Sequence, residues 1–148
     1  MGQIETMLLF AVDRQGSPME KKVLKPKGMH SPYSSYSHGF VVEGAQKLIF
    51  CAGQVAGLPD GSIFGPDDFE AQGELVMKNL REVLADAGAT FGNIVKLVTY
   101  VCSPHDVKKA RALIKKHFPT DPPPNTICIL RGLAHPDYLL EIDATAVA

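Results

Sequence analysis

The sequence lacks the features of a membrane protein and of an electrostatic nucleic-acid binder. None of its apolar runs approaches the length of roughly 18 residues that a membrane-spanning helix needs. Its 15 basic and 16 acidic residues nearly cancel to a net charge of −1, whereas proteins that bind nucleic acid usually carry a basic excess or stripe. We therefore expect neither a membrane nor a nucleic-acid partner.

Familiar catalytic and metal-binding signatures are absent too. There is no Gly-x-x-x-x-Gly-Lys-Ser/Thr phosphate loop, no Gly-x-Gly-x-x-Gly turn and no Gly-x-Ser-x-Gly nucleophile elbow. Cys102 and His105 form a single Cys-x-x-His pair, but zinc needs three or four ligands and no second pair stands at a suitable spacing. We therefore expect no metal site.

Cysteine is scarce and odd in number, which argues against a disulfide framework. Cys51, Cys102 and Cys128 lie in or beside strands that are predicted to be buried, where an inert thiol is usual. A Cys–His nucleophile pair is the alternative that the sequence leaves open. Residues 7–12 are apolar, but no basic residue precedes them and no convincing cleavage site follows, so we expect no signal peptide. These features predict a cytoplasmic protein.

What the sequence does contain is enough for one domain. The 148 residues fit a single domain, and 45% hydrophobic with 21% charged residues is ordinary for a globular protein. A second start-like sequence begins at Met19, after the turn-like residues 15–18. We expect residues 1–18 to be an extension or an extra edge strand, and residues 19–148 to form the domain.

The apolar pattern predicts two helices among several short strands. Apolar runs and period-two alternation indicate strands, and apolar residues spaced three to four apart indicate helices. The predicted elements are a weak strand over 20–24, a hairpin of strands 39–42 and 47–52 around residues 43–46, a helix over 68–87, a strand over 93–101, a helix that begins after Ser103, and strands over 125–130 and 139–147. This order favours an α+β fold with both helices on one face of a mixed sheet.

Local signals mark where the helices begin and end. Asp67 or Asp68 can cap the first helix, and Gly88 stands where a left-handed C-cap is expected. Ser103, followed by a proline and by Asp106, can cap the second helix. The lysines of the second helix are expected to cover its solvated face.

The last predicted strand carries two carboxylates. Glu141 and Asp143 share one face by the two-residue period, and Leu140, Ile142 and Ala144 share the other. Either both carboxylates face solvent, or one lines a cleft, where burial would fit it for proton transfer.

Four segments of the chain together resemble one known family. They are Tyr36-Ser37-His38, Leu48-Ile49-Phe50-Cys51-Ala52-Gly53-Gln54, Gly92-Asn93-Ile94-Val95-Lys96 and the closing Glu141-Ile142-Asp143-Ala144-Thr145-Ala146-Val147. In this order they are similar to the Rid (YjgF-type) proteins, which are called reactive intermediate deaminases and, in older usage, endoribonuclease L-PSP. The resemblance runs from about Lys25 to the C-terminus.

The resemblance implies a fold, an assembly and an activity. It implies a chorismate-mutase-like α+β domain that forms a homotrimer, with the sheets as an inner barrel, the helices outside and three equivalent clefts between subunits. Active members hydrolyse enamines and imines to a keto product and ammonia without a cofactor. The implied partners are a small-molecule substrate in the inter-subunit cleft and further copies of the chain.

The resemblance also implies roles for single residues. Glu141 matches the glutamate that orients or activates water, and Gly53 matches a glycine that lets substrate approach the backbone. Tyr36, with Tyr33 as its competitor in the alignment, matches a tyrosine of the cleft. Cys128 falls near a cysteine whose backbone contacts substrate.

One departure from the family pattern concerns the substrate's carboxylate. Family deaminases hold it with an arginine at the start of the penultimate strand, a position that is Asn125 or Thr126 here. Neither residue offers the bidentate fork of arginine. Arg111 replaces a helix asparagine of the family. Arg111 on the second helix, or Arg131 on the same strand face as Asn125, can therefore supply the missing charge, unless both are surface residues.

The sequence therefore predicts an enamine or imine deaminase of the Rid type. The first alternative is a non-catalytic trimer of the same fold that binds a metabolite or regulates a partner, which the missing arginine favours. The second is a ribonuclease, which rests on the older family label alone and which the near-neutral charge disfavours.

Overall fold

The structure, a computed structural model, describes residues 18–148 and contains six strands and two α-helices there. The strands are β1 (Glu20–Val23), β2 (Phe40–Glu43), β3 (Leu48–Gln54), β4 (Ile94–Val101), β5 (Asn125–Ile129) and β6 (Leu140–Val147), and the helices are α1 (Phe69–Asp86) and α2 (Val107–His117). Neither helix is long and apolar enough to cross a bilayer. The predicted extension over residues 1–18 lies, except for Pro18, outside the described residues.

The strands form two separate sheets. β3, β6, β4 and β5 lie side by side in that order. β6 runs antiparallel to both β3 and β4, whereas β5 runs parallel to β4. β1 and β2 pair antiparallel with each other in a two-stranded ribbon. The mixed sheet of the predicted α+β fold is therefore confirmed.

One predicted pairing is wrong, because β2 and β3 do not form a hairpin. The backbone N–H groups of Gln46 and Lys47 donate to the Ala148 carbonyl at 2.8 and 2.7 Å, and β3 continues from there along β6. β2 pairs with β1 instead. The partner of β3 is thus about a hundred residues away in the sequence, where local turn signals carry no information about it.

Both helices pack on the same face of the four-stranded sheet. α1 lies over β3 and β6, and α2 lies over β4. The buried layer between them is mostly aliphatic and includes Val76, Met77, Leu80 and Leu84 of α1, Ala110, Leu113 and Ile114 of α2, and Leu97, Val101, Leu140, Ile142 and Ala144 of the sheet. No described helix covers the opposite face of the sheet, where Phe50 is 74% exposed. We call this surface the open face.

Most of the predicted residues at the helix ends take the predicted roles in the structure. Asp68 caps α1 by accepting a backbone N–H of the first turn at 2.9 Å. Gly88 follows this helix with a φ of +71°, a conformation that suits a residue without a side chain. Ser103 caps a single 3-10 turn, Pro104–Asp106, so α2 itself begins only at Val107, later than predicted.

Candidate functional site

The alternation of β6 separates its carboxylates from the core. Leu140, Ile142 and Ala144 are buried beneath the helices, whereas Glu141 and Asp143 are half-buried on the open face. The predicted division of this strand into two faces is confirmed. Both carboxylates therefore lie on a sheet surface and not among the core side chains.

Glu141 lies directly over Gly53 of β3. A Cβ atom at position 53 would stand 2.7 Å from Glu141 Cγ and would overlap the carboxylate. The register of β3 against β6 is irregular between Cys51 and Gln54, and such a bulge re-aims the residues around it. The Glu141 side chain thus occupies the space that the missing side chain of Gly53 leaves free.

Tyr100 of β4 contacts Asp143, the second carboxylate of β6. It is the cross-strand neighbour of Glu141, and its hydroxyl donates to Asp143 Oδ2 at 2.9 Å. This hydrogen bond to a carboxylate raises the pKa of Tyr100. Among the described residues, Asp143 therefore has a side-chain partner, whereas Glu141 has none and stays free to bind water or a ligand.

A second polar group gathers beside β5 on the helix side of the sheet. A cavity of about 170 Å³ is lined by Ser34, Ser35, Tyr36, Arg111, Ile114, Asn125 and Ile127. Ser37 Oγ donates to the Pro122 carbonyl at 2.6 Å and thereby holds the loop that carries Tyr36. No lining residue is acidic, and every polar one can donate a hydrogen bond, so the cavity suits a small anion.

The orientation of Asn125 strengthens this donor character. Thr99, which is fully buried, donates its hydroxyl to Asn125 Oδ1 at 3.1 Å. Because the amide oxygen is engaged there, the NH₂ group of Asn125 is left to donate into the cavity. Arg111 forms no ion pair among the described residues, so its guanidinium group is also available.

The structure distributes the predicted site residues over the two sides of the sheet. The open face carries Gly53, Thr126, Cys128 and Glu141, and the cavity carries Tyr36, Arg111 and Asn125. Asn125 and Thr126 point in opposite directions because they are consecutive residues of one strand. Thr126 Oγ1 accepts from Lys96 Nζ at 2.8 Å. Within one subunit the two groups do not form a single site.

Two alternatives left open by the sequence differ in position. Tyr36 lines the cavity, whereas Tyr33 is 76% exposed and stacks on His30 with ring centroids 4.0 Å apart. Arg131 lies in an exposed bend beyond the end of β5. The prediction that Arg131 shares a strand face with Asn125 is therefore wrong, and Arg111 is the arginine that lines the cavity.

The three cysteines are free, but they differ in burial. Cys51 is buried, and burial raises the pKa of its thiol. Cys102 and Cys128 are only half-buried. The expected burial in the core is therefore confirmed for Cys51 alone, and Cys128 lies on the open face. Within residues 18–148 no three His, Cys, Asp or Glu side chains are grouped as metal ligands would be.

Tyr100, Ser34 and Ser35 were not identifiable as site residues from the sequence pattern. The period of β4 indicates that Lys96 and Tyr100 face the same side, but only the register with β6 shows that Tyr100 meets the carboxylates. The serines lie in a loop that no periodic pattern describes.

Known proteins share this arrangement of strands and helices. Residues 28–148 match the protein family described as Endoribonuclease L-PSP. The chain is 28% identical over 130 residues to a RutC family protein of Synechocystis sp., an alignment that covers 87% of this chain and 98% of that protein.

Two solved structures from Yersinia pestis, both described as proteins of unknown function of the conserved Rid family, are also similar. YyfB is 35% identical with a TM-score of 0.77, over 86% of this chain and 98% of YyfB. YyfA is 24% identical with a TM-score of 0.65, over 87% of this chain and all of YyfA. At this lower identity, the likeness to YyfA shows the shared fold alone.

Proposed function

Since this chain belongs to the endoribonuclease L-PSP (Rid) family, we propose that it is a cytoplasmic deaminase, which hydrolyses enamine or imine metabolites to a keto product and ammonia. The reaction needs a water molecule held against the C=N carbon, a proton for the departing nitrogen and an anchor for the polar end of the substrate. It requires no cofactor. The two groups of residues described above supply these three elements.

The observation that carries the proposal is the unengaged carboxylate of Glu141. Its neighbour Asp143 accepts the Tyr100 hydroxyl, whereas Glu141 lies over Gly53 without a side-chain partner among the described residues. A half-buried carboxylate with free oxygens can hold a water molecule and take a proton from it.

An enamine first takes its imine form, in which a proton has moved from nitrogen to the β-carbon. In the proposed reaction Glu141 takes one proton from the bound water, and the water oxygen forms a bond to the C=N carbon. The electron pair of the C=N bond moves to nitrogen, which receives the proton back from Glu141. Glu141 then relays the proton of the new hydroxyl group to nitrogen. The C–N bond breaks, ammonia leaves and a C=O group remains, so that one water is consumed and nothing is oxidised.

We assign the substrate anchor to the cavity of Tyr36, Arg111 and Asn125. A guanidinium fork, an amide NH₂ group and hydroxyl donors suit a carboxylate, for which arginine provides two parallel hydrogen bonds. This assignment places on α2 the positive charge that family deaminases carry on the penultimate strand.

The proposed site requires more than one subunit, because Glu141 and Arg111 lie on different sides of the sheet. We propose a homotrimer in which the open face of one subunit meets the β5 edge of its neighbour, so that Glu141 of one copy faces the Arg111 cavity of the next. Leu48 and Phe50 are 58% and 74% exposed on the open face. They support such a contact because burying apolar side chains stabilises an assembly.

The activity is tested by generating imines from several amino acids with an amino-acid oxidase and following their loss with and without this protein. We expect the loss to accelerate in proportion to the concentration of the protein. An unchanged rate of loss for every amino acid would contradict the proposal.

A second function, metabolite binding without turnover, is favoured by one observation. Neither Asn125 nor Thr126 provides the strand arginine of family deaminases. This function predicts that keto acids bind in calorimetry although imine loss is not accelerated. A ribonuclease is disfavoured by the net charge of −1, because phosphate contacts need a basic surface.

A further inference from the structure

A groove of about 560 Å³ runs between α1 and α2, away from both groups of the proposed site. Its apolar floor includes Phe69, Gly73 and Leu113. One rim carries Glu70 and Glu74 of α1, which pair across the groove with Lys109 and Lys116 of α2 at 3.8 and 2.7 Å. Lys108 of α2 lines the second rim without an ion pair among the described residues. We call this groove the helix groove.

Gly73 keeps the helix groove open. A Cβ atom at position 73 would stand 2.9 Å from Leu113 Cδ2, so a larger residue would fill the floor or push the helices apart. Ala112, which is exposed, leaves a further gap on the α2 side. The result is an apolar depression on a surface that is otherwise charged.

We propose that residues 4–12 of the same chain dock in the helix groove. This segment reads Ile-Glu-Thr-Met-Leu-Leu-Phe-Ala-Val and contains six consecutive apolar residues. Such a run gains free energy by leaving water, and the floor of the helix groove is apolar surface of a matching kind. The proposal does not depend on the proposed deaminase function.

The relatives give this segment no place in the shared fold. The YyfB structure is matched over 98% of its length by only 86% of this chain, and the family match begins at residue 28. The N-terminal segment is therefore additional to the domain that the relatives share.

The described chain begins close to one end of the helix groove. Lys21 Nζ donates to the Gly92 carbonyl at 2.7 Å, and the ring of neighbouring Phe91 packs against His117 with centroids 6.0 Å apart. His117 Nε2 in turn lies 3.2 Å from Glu74 Oε2 on the rim. These three successive contacts connect β1 to the rim of the helix groove.

The reach of residues 13–17 and the charge of the segment are also compatible with docking in the helix groove. Residues 13–17 span roughly 16 Å when extended at about 3.3 Å per residue, which corresponds to about three turns of a helix. Glu5 and Asp13 flank the apolar run. They can approach Lys108 on the α2 rim, which forms no ion pair among the described residues.

Chymotrypsin cleavage after Phe10 of the full chain tests the proposal, with a synthetic peptide of residues 1–18 as the free reference. Ala112→Glu places a carboxylate in the helix groove and leaves the cleaved sequence unchanged. Ala85→Glu, the same change at an exposed position of α1 outside the groove, is the matched control. Lys108→Glu is a second groove variant that alters only the rim.

We expect the full chain and Ala85→Glu to be cleaved about tenfold or more slowly than the peptide, because cleavage follows the population of the undocked segment. Ala112→Glu restores the rate of the peptide, and Lys108→Glu restores part of it. Cleavage of the full chain at the peptide's rate would overturn the proposal. So would slow cleavage that Ala112→Glu leaves unchanged, which would place the segment elsewhere, or protection lost on dilution, which would indicate the groove of another copy.

Discussion

Glu141 and Gly53 form the contact on which the proposed chemistry depends. The side chain of Glu141 occupies the space over Gly53. The absence of a side chain at Gly53 therefore determines the position of the carboxylate. The family resemblance gives this glycine a role in substrate approach. The structure adds a second physical reason for it, because any side chain at position 53 would displace the glutamate.

We expect Gly53→Ala to lower the deamination rate by about 10²-fold, the effect of displacing a reacting group by roughly 1 Å. The added methyl group pushes the Glu141 side chain aside from Cγ outward. The thermal unfolding midpoint changes little because this half-buried side chain can turn away without moving the backbone. Imine loss and thermal unfolding are measured together. Gly57→Ala, whose Cβ atom would meet nothing within 4 Å, is the control and keeps its rate; equal rates for all three proteins would refute the role of the contact.

The resemblance names Glu141, Gly53, Tyr36 and Arg111 as candidate site residues, and their roles stay predictions. The period of β6 correctly separates Glu141 from the core. Local patterns cannot show that Arg111 and Glu141 lie on different sides of the sheet. That separation depends on the packing of α2 over β4, on the face of the sheet opposite to Glu141.

Between elements, the hydrogen bond from Tyr100 to Asp143 joins β4 to β6 across the open face. The bond raises the pKa of Tyr100, so the folded protein holds this proton more tightly than the unfolded chain does. Its contribution to stability is therefore fully present below the ordinary range of tyrosine ionisation and is lost as the pH rises through the folded pKa.

We expect Asp143→Asn to lower the pKa of Tyr100, because the neutral amide no longer opposes formation of a tyrosinate. The chain has four tyrosines, and Tyr100→Phe identifies the contribution of Tyr100 to the absorbance of tyrosinate during alkaline titration. A Tyr100 titration that is the same with Asp143 and with Asn at this position would contradict the assigned cause.

Element prediction succeeds where the signal is local. The cap at Asp68 and the turn at Gly88 mark α1 within a residue or two, because capping depends on the first and last turns alone. The prediction of a β2–β3 hairpin is wrong because strand pairing depends on contacts between segments that are far apart in the sequence. β3 pairs with β6 at the opposite end of the sequence, so a turn-like segment beside it does not determine its neighbour.

For the whole molecule, the division of the site between two sides of the sheet predicts complementation between subunits. In the proposed homotrimer, Glu141→Gln and Arg111→Ala are each expected to be nearly inactive when assembled alone. When they are unfolded together and reassembled in equal amounts, about a quarter of the clefts combine an intact Arg111 with an intact Glu141 from the neighbouring copy, as random assortment in a cyclic trimer requires.

We expect the mixed trimers to recover about a quarter of the wild-type rate of imine loss. Wild-type protein taken through the same treatment gives the reference rate, and each variant reassembled alone gives the baseline. A mixture that stays at the baseline would refute the shared cleft.

The most direct measurement is the rate of imine loss with Glu141→Gln compared with the wild-type chain. Gln keeps the size of the side chain but cannot take a proton from water, so we expect a fall of about 10²–10⁴-fold, the contribution of a general acid–base group. Asp143→Asn, the same chemical change two residues along the same face, is expected to keep most of the activity. An unchanged rate for Glu141→Gln would contradict the assignment of Glu141 as the residue that activates water.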